Sequence, residues 1–233
     1  MSDLWQATQQ ALQLLLTGNA ELWHIIGISF SVSLRAVAIA TPVAFVVSFL
    51  LAYTRFPGRA LLVSMFNTML SIPAVVVGLL LYLLLSRSGP MGDLHLLFTQ
   101  KAMVIGQIVL CFPLLVAMGY ATIAAADRRI WETAITLGAR RGRAFLTLLH
   151  EVRFGLIATA VAGFGRIISE VGTSMMVGGN ILGYTRNVPT AIALETAKGS
   201  FAQGIALGLV LISLAFALNL TVAFFNRRME PQT

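Results

Sequence analysis

Five long apolar runs govern what this chain can fold into: Ile25 to Tyr53, Leu61 to Leu85, Ala102 to Ala126, Phe154 to about Val177, and Phe201 to Phe225. Each exceeds the roughly 20 residues that cross a bilayer as a helix. Inside hydrocarbon no water can satisfy a backbone N–H or C=O, so the chain must satisfy them within each segment. The expectation is an all-α integral membrane bundle of about five transmembrane helices. Pro73 and Pro113 fall within the second and third runs, where neighbouring helices can satisfy the carbonyls that proline frees. Of the 233 residues, 58% are hydrophobic and 11% charged, which leaves little mass for a soluble domain.

The exception is a basic stretch between the third and fourth runs, Asp127 to Arg153. Its centre, WETAITLGARRGRAF (Trp131 to Phe145), places Ile130, Ala134 and Leu137 on one helical face and Thr133, Arg140 and Arg143 on another. Gly138 and Gly142 interrupt that pattern, predicting two short amphipathic helices with a bend. From composition alone the stretch reads equally as a solvated basic loop or as a folded element with a purpose.

Net charge is +7, yet the basic residues flank apolar runs and form no continuous stripe, which argues against nucleic acid. With the Asp127–Arg153 loop inside the cell, ten basic residues share its side: Arg55, Arg59, Arg128, Arg129, Arg140, Arg141, Arg143, Arg153, Arg227 and Arg228. Four fall opposite, namely Arg87, Lys101, Arg186 and Lys198. The positive-inside bias therefore predicts an inner-membrane, multi-pass protein with its N-terminus outside and its C-terminus cytoplasmic. Residues 1–21, with LWQATQQALQLLL at Leu4–Leu16, are too short and polar to span and predict an interfacial segment. Asp3 stands where a signal peptide would carry positive charge.

The fourth run is the most unusual. Gly155, Thr159 and Gly163 recur every four residues, a stripe of small side chains that lets helices approach closely. Arg166 lies about 20 Å along the helix from Arg153, beyond the bilayer midplane. Facing lipid there costs on the order of 3 kcal/mol or more, so Arg166 needs a partner or water. Glu170, one turn on, is the obvious partner. Two readings stand: an ion pair that clamps the bundle, or a fixed positive charge on an anion path. The following TSMMVGGNILGYTRNVPTAIALETAKG is too polar and glycine-rich to face lipid, and predicts a gate at the outer mouth.

No catalytic or cofactor constellation is visible. The dipeptide Gly-Lys of a phosphate-binding loop does not occur, and GFGRII at Gly163 lacks the third glycine of a dinucleotide fingerprint. Neither Gly-x-Ser-x-Gly nor HExxH occurs. His24, His95 and His150 share no metal-ligand spacing, and Cys111 is the one cysteine. An enzyme is disfavoured, no cofactor or metal is expected, and any ATP chemistry belongs to another chain.

Two stretches carry a family resemblance. Glu132-Thr133-Ala134, three residues, then Gly138 resembles the EAA loop of ABC importer permeases. Thr133 stands where that family has Ala, and His150-Glu151 where it has Leu-Pro. SEVGTSMMVGGNILGYTR and TAIALETAKGSF are similar to the corresponding stretch of tungstate permeases, within the wider molybdate and sulfate class. Ser169 before Glu170, and the Gly-Gly before Asn180, lean towards the tungstate branch. The likeness runs from about Ile25 to Asn226.

The resemblance implies a MetI-like ABC type I permease fold over residues 22–226, with 127–153 as a cytoplasmic coupling loop. Glu132, Thr133, Ala134, Gly138, Ala139 and Arg140 would then couple to the ATPase. Arg166, Glu170, Gly178, Gly179, Asn180, Thr185 and Arg186 would line the translocation path or its gate. It further implies a homodimer in the lipid membrane, two copies of an ABC ATPase subunit, and an extracytoplasmic oxyanion-binding protein delivering tungstate or molybdate. The alternative is a secondary anion transporter or channel that works without an ATPase.

Overall fold

The computed structural model describes residues 8, 9, 13 and 16–227, the last two by backbone only. The interfacial segment expected over Leu4–Leu16 falls mostly outside the described residues, as does the polar tail beyond 227. Among the described residues from Ala20 on, ten α-helices follow one another: α1 (Ala20–Tyr53), α2 (Arg59–Met69), α3 (Ala74–Leu85), α4 (Gln100–Ala124), α5 (Arg128–Thr136), α6 (Arg141–Glu151), α7 (Arg153–Ile168), α8 (Gly172–Gly178), α9 (Val188–Lys198) and α10 (Phe201–Arg227). A single 3₁₀ turn, Gly92–Leu94, interrupts the loop before α4, and there are no strands among the described residues.

The core is the pairing of α1 with α4. Along α1, Ala36, Ala40, Ala44 and Ser48 are buried at four-residue intervals, so α4 can approach closely. The Ser48 hydroxyl lies 2.8 Å from its own helix at Ala44 O and 3.0 Å from Val116 O of α4. Opposite it, a methyl group added at Gly119 would come within 2.7 Å of Ser48 Oγ. Val32, Met103, Cys111 and Leu115 fill the layer between, joined by Ile167 of α7 and Val177 of α8. The predicted stripe on α7 is used: Gly155, Thr159 and Gly163 are all buried. A Cβ on Gly163 would meet Leu115 at 2.8 Å, so that glycine seats α7 on α4.

Among the described residues three helices, α1, α4 and α10, are long and apolar enough to cross a membrane unaided, and two bent pairs, α2–α3 and α6–α7, are so only if each is taken as one span. Pro113 sits inside an unbroken α4, as the sequence allows. Pro73 does not: the second run is two helices, α2 and α3, meeting at 98° across Leu70–Pro73. Pro73 becomes the N-cap of α3, where its missing N–H costs nothing. The fourth run is also shorter than its composition suggests. Helix α7 stops at Ile168, Ser169–Val171 are non-helical, and α8 carries on to Gly178.

The bundle has two ends. At one lie the C-termini of α1 and α4, the start of α2, and the α5–α6 pair; it holds most of the arginines and is called the basic end below. At the other, the start of α1 packs on α9 and α10 through Leu22, Ile25, Val188, Ala191 and Leu207. The Ser29 hydroxyl accepts a hydrogen bond from Val188 N at 2.6 Å, tying α9 to α1 there.

Candidate functional site

At the basic end the chain turns between α5 and α6 in the manner the sequence calls for. Asp127 caps α5, its carboxylate accepting from Arg129 N at 2.9 Å. The helix closes with Gly138 N donating to Ile135 O and Ala139 N to Ala134 O, both at 3.0 Å. This double bond pattern needs a left-handed residue, and Gly138 has φ +85. Nothing lies within 4 Å of where its Cβ would be, so the glycine serves backbone conformation and not close packing. Gly142 lies inside α6 and makes no bend.

Glu132, Thr133 and Arg140 are exposed, while Ala134 and Ala139 are half-buried. Ile135, Leu137 and Leu146 also face outward, Leu137 with 83% of its surface free. Behind this surface stands an aromatic cluster that motif reading passes over. The Phe49 ring lies 5.1 Å from Tyr53, 5.1 Å from Trp131 and 4.7 Å from Phe145. It thereby joins the end of α1 to both α5 and α6. Two large aromatics inside a basic loop were the available signal.

Further into the bundle, Arg166 and Glu170 meet at the gap between α7 and α8. Arg166 Nη1 donates to Glu170 Oε2 at 2.9 Å, and Gly172 N donates to Oε1 at 2.9 Å. The carboxylate thus sits at the start of α8 and the guanidinium on the last turn of α7, each favoured by the local helix dipole. Their environments differ: the Glu170 side chain is 10% exposed and that of Arg166 48%. Arg166 opens onto a groove of about 310 Å³ between α7 and α10, shared with Gly165, Leu218 and Asn219.

The other sequence-marked residues form a separate, tightly bonded turn. Thr185 is fully buried; its hydroxyl donates to Gly178 O at 2.6 Å and accepts from Ile181 N at 2.9 Å. Gly179 and Asn180 both take left-handed backbone, φ +71 and +52, and a Cβ on Gly179 would strike the Phe98 ring at 2.7 Å. The Asn180 amide faces Thr190 O at 3.5 Å. Asn187 and Thr190 cap α9 reciprocally. Arg186 approaches Glu21 of α1 at 3.8 Å, and Gln100 donates to Tyr184 O at 2.7 Å.

The structure therefore brings the candidate residues together as three groups. The α5–α6 surface stands at the basic end, the Arg166–Glu170 pair lies mid-chain of the broken fourth run, and the Gly178–Arg186 turn lies at the far end. Helix α8 separates the last two by about 10 Å. A second feature that motif reading missed is the polar face of α2, described below.

Residues 44–231 match the family model described as binding-protein-dependent transport system inner membrane component. A probable anion ABC transporter permease protein of Haloferax volcanii is 36% identical over 219 residues, covering 91% of this chain and 94% of the relative. The tungstate uptake system permease protein of Peptoclostridium acidaminophilum is 35% identical over 222 residues, covering 95% and 97%. The molybdenum transport system permease protein of Escherichia coli K12 is 32% identical over 206 residues, covering 84% and 89%.

Proposed function

The chain belongs to the family of binding-protein-dependent transport system inner membrane components, and from that premise we propose that it forms the tungstate pathway of an ATP-driven importer, with molybdate the next candidate substrate. Its role is transport and not catalysis. The observation that carries the coupling half of this reading is the α5–α6 element. A membrane bundle gains nothing by holding Leu137 and Leu146 outward on this helical pair unless another protein covers them. Glu132, Thr133 and Arg140 surround that apolar tip with polar groups, and Ala134, Gly138 and Ala139 set its shape. A separate ATPase subunit docked here would transmit its closure through the Phe49 cluster to α1.

The same reading orients the protein, with the basic end in the cytoplasm and the N-terminus outside. The Gly178–Arg186 turn then lies at the outer mouth, where an oxyanion-binding protein would deliver its cargo. Two copies of the chain complete the path, each recruiting one ATPase. The exposed apolar faces of α2, α3 and α10 support such a second copy, since α2 buries none of its residues within one chain. The half-exposed Arg166 supports a path position for that pair, because a guanidinium at this depth must meet water or a partner.

Reconstitution tests the proposal. The chain, an ABC ATPase and an oxyanion-binding protein are placed in liposomes, and ATP-dependent uptake of labelled tungstate is measured with molybdate and sulfate as competitors. Uptake requiring all three components, with tungstate outcompeting sulfate, is the expected result. Uptake by the chain alone on an ion gradient would overturn it.

A further inference from the structure

Helix α2 carries a polar face that no part of the fold uses. Ser64, Asn67 and Thr68 share one helical face, Ser71 continues the line in the turn just past the helix end, and all four are exposed. The opposite face carries Leu62 and Met65, also exposed. Among the described residues the only bond these four side chains make is a local one, the Thr68 hydroxyl donating to Ser64 O at 2.9 Å. Together with Arg59 and Tyr120 of α4 they line a groove of about 770 Å³.

Its direction can be read from α4. Arg59 Nη2 donates to Tyr120 OH at 3.1 Å, near the basic end of α4. Seven residues on, Phe66 meets Phe112 with ring centres 6.1 Å apart, close to the middle of α4. The polar face therefore climbs from the basic end into the bundle and stops at Ser71, where the second run breaks before Pro73. The arginine guards the mouth. It is held over the Tyr120 ring at 5.7 Å, so its charge stays at the rim of the groove.

Resting on the permease reading above, we infer that this groove is the inner half of the oxyanion path. Arg59 sits at its cytoplasmic mouth, and the hydroxyl and amide donors of Ser64, Asn67, Thr68 and Ser71 replace hydration water along it. The chemistry suits an anion in transit. Neutral donors hold an oxyanion briefly without trapping it, and one cation at the exit lowers the potential there. A lipid headgroup would also suit Arg59, but it has no use for donors a further two to three helical turns into the bundle. With Arg166 on α7 and Glu170 in the break that follows it, the groove is distinct from the ion pair already described.

Thiol accessibility tests this in the assembled transporter. Cys111 is the sole cysteine and is fully buried, so the wild type serves as background. A membrane-impermeant cationic thiol reagent should label Asn67→Cys and Ser71→Cys on the order of tenfold faster than Leu62→Cys or Met65→Cys, because the reactive thiolate forms only in water. Saturating tungstate with ATP should slow that labelling. In parallel, Asn67→Leu should reduce ATP-driven uptake on the order of tenfold while binding-protein-stimulated ATPase activity persists, the loss of one charge-assisted hydrogen bond.

Equal labelling of both faces, or none at Asn67→Cys and Ser71→Cys, would overturn the inference. So would labelling confined to Arg59→Cys with uptake that tracks anionic lipid content, the signature of a headgroup site. Labelling needs no knowledge of the substrate. Failure of wild-type tungstate uptake would count against the permease reading, and a silent groove in an active transporter against this one alone.

Discussion

The Arg166–Glu170 pair makes an asymmetric prediction. Glu170 is nine-tenths buried and holds two donors, Arg166 Nη1 and Gly172 N. Arg166 is about half exposed. Arg166→Gln removes the charge partner from the buried member, leaving a carboxylate with one backbone N–H. Stranding a fully buried charge costs about 3–5 kcal/mol; with water reaching half of the guanidinium, a smaller loss of about 2–3 kcal/mol is expected here. Glu170→Gln leaves the Gly172 acceptor in place and strands only a half-solvated cation, a loss of about 1 kcal/mol or less.

Thermal unfolding of the detergent-solubilised transporter should therefore rank wild type, Glu170→Gln and Arg166→Gln in falling order of stability. The double variant, which carries no charge, should lie near Glu170→Gln. Uptake normalised to inserted protein then separates the two roles open to the pair. On a path, Arg166→Gln lowers normalised uptake and the double variant does not restore it. In a clamp, the double variant restores both abundance and uptake. Arg166→Gln as stable as the wild type would refute the energetic reasoning, and full normalised activity in the double variant would remove Arg166 from the path.

Gly138→Ala should cost about 1–2 kcal/mol at the α5–α6 turn from its left-handed backbone, with Gly138→Asn milder. Because no atom crowds the position, a larger side chain should be little worse than Ala, and tungstate transported per ATP should fall in all of them with Asn least affected. Phe49→Ala removes three ring contacts worth about 0.5–1.5 kcal/mol each; co-purification of the ATPase should weaken while membrane insertion persists. Thr185→Val keeps the shape but leaves Gly178 O and Ile181 N unpaired, a loss of about 2–3 kcal/mol. Faster proteolysis within residues 179–187, restored by Thr185→Ser, is the check.

What could be read from the sequence divides along physical lines. The span positions followed from hydrophobicity and chain length, because burying backbone in lipid leaves so few solutions. The α5–α6 bend was legible for a local reason: one glycine must take positive φ, and Gly138 does. The small stripe on α7 was legible too, because close packing needs small side chains at helical spacing. Breaks were harder. Pro113 and Pro73 look alike in sequence, yet α4 runs through the first and the second run stops at the other. What decides between them is tertiary: Pro113 is buried in the bundle, whereas Thr173 of α8 donates to Ala74 O at 2.7 Å and fixes α3 in its new direction.

The same logic explains why motif reading missed the residues proposed for the inner path. Ser64, Asn67, Thr68 and Ser71 sit in a run whose mean composition is apolar, and four scattered polar residues lower its hydropathy only slightly. Their meaning appears when the helix is folded and they share a face turned away from its core. In a soluble protein that face would be ordinary surface. Here the neighbours are lipid, a second chain or a watery path, and lipid has no use for a line of hydroxyl and amide donors leading from an arginine. On the reading proposed above, polar residues that a membrane helix leaves exposed within its own chain mark where water or a second chain meets it, at the Arg166 groove and the α2 face alike.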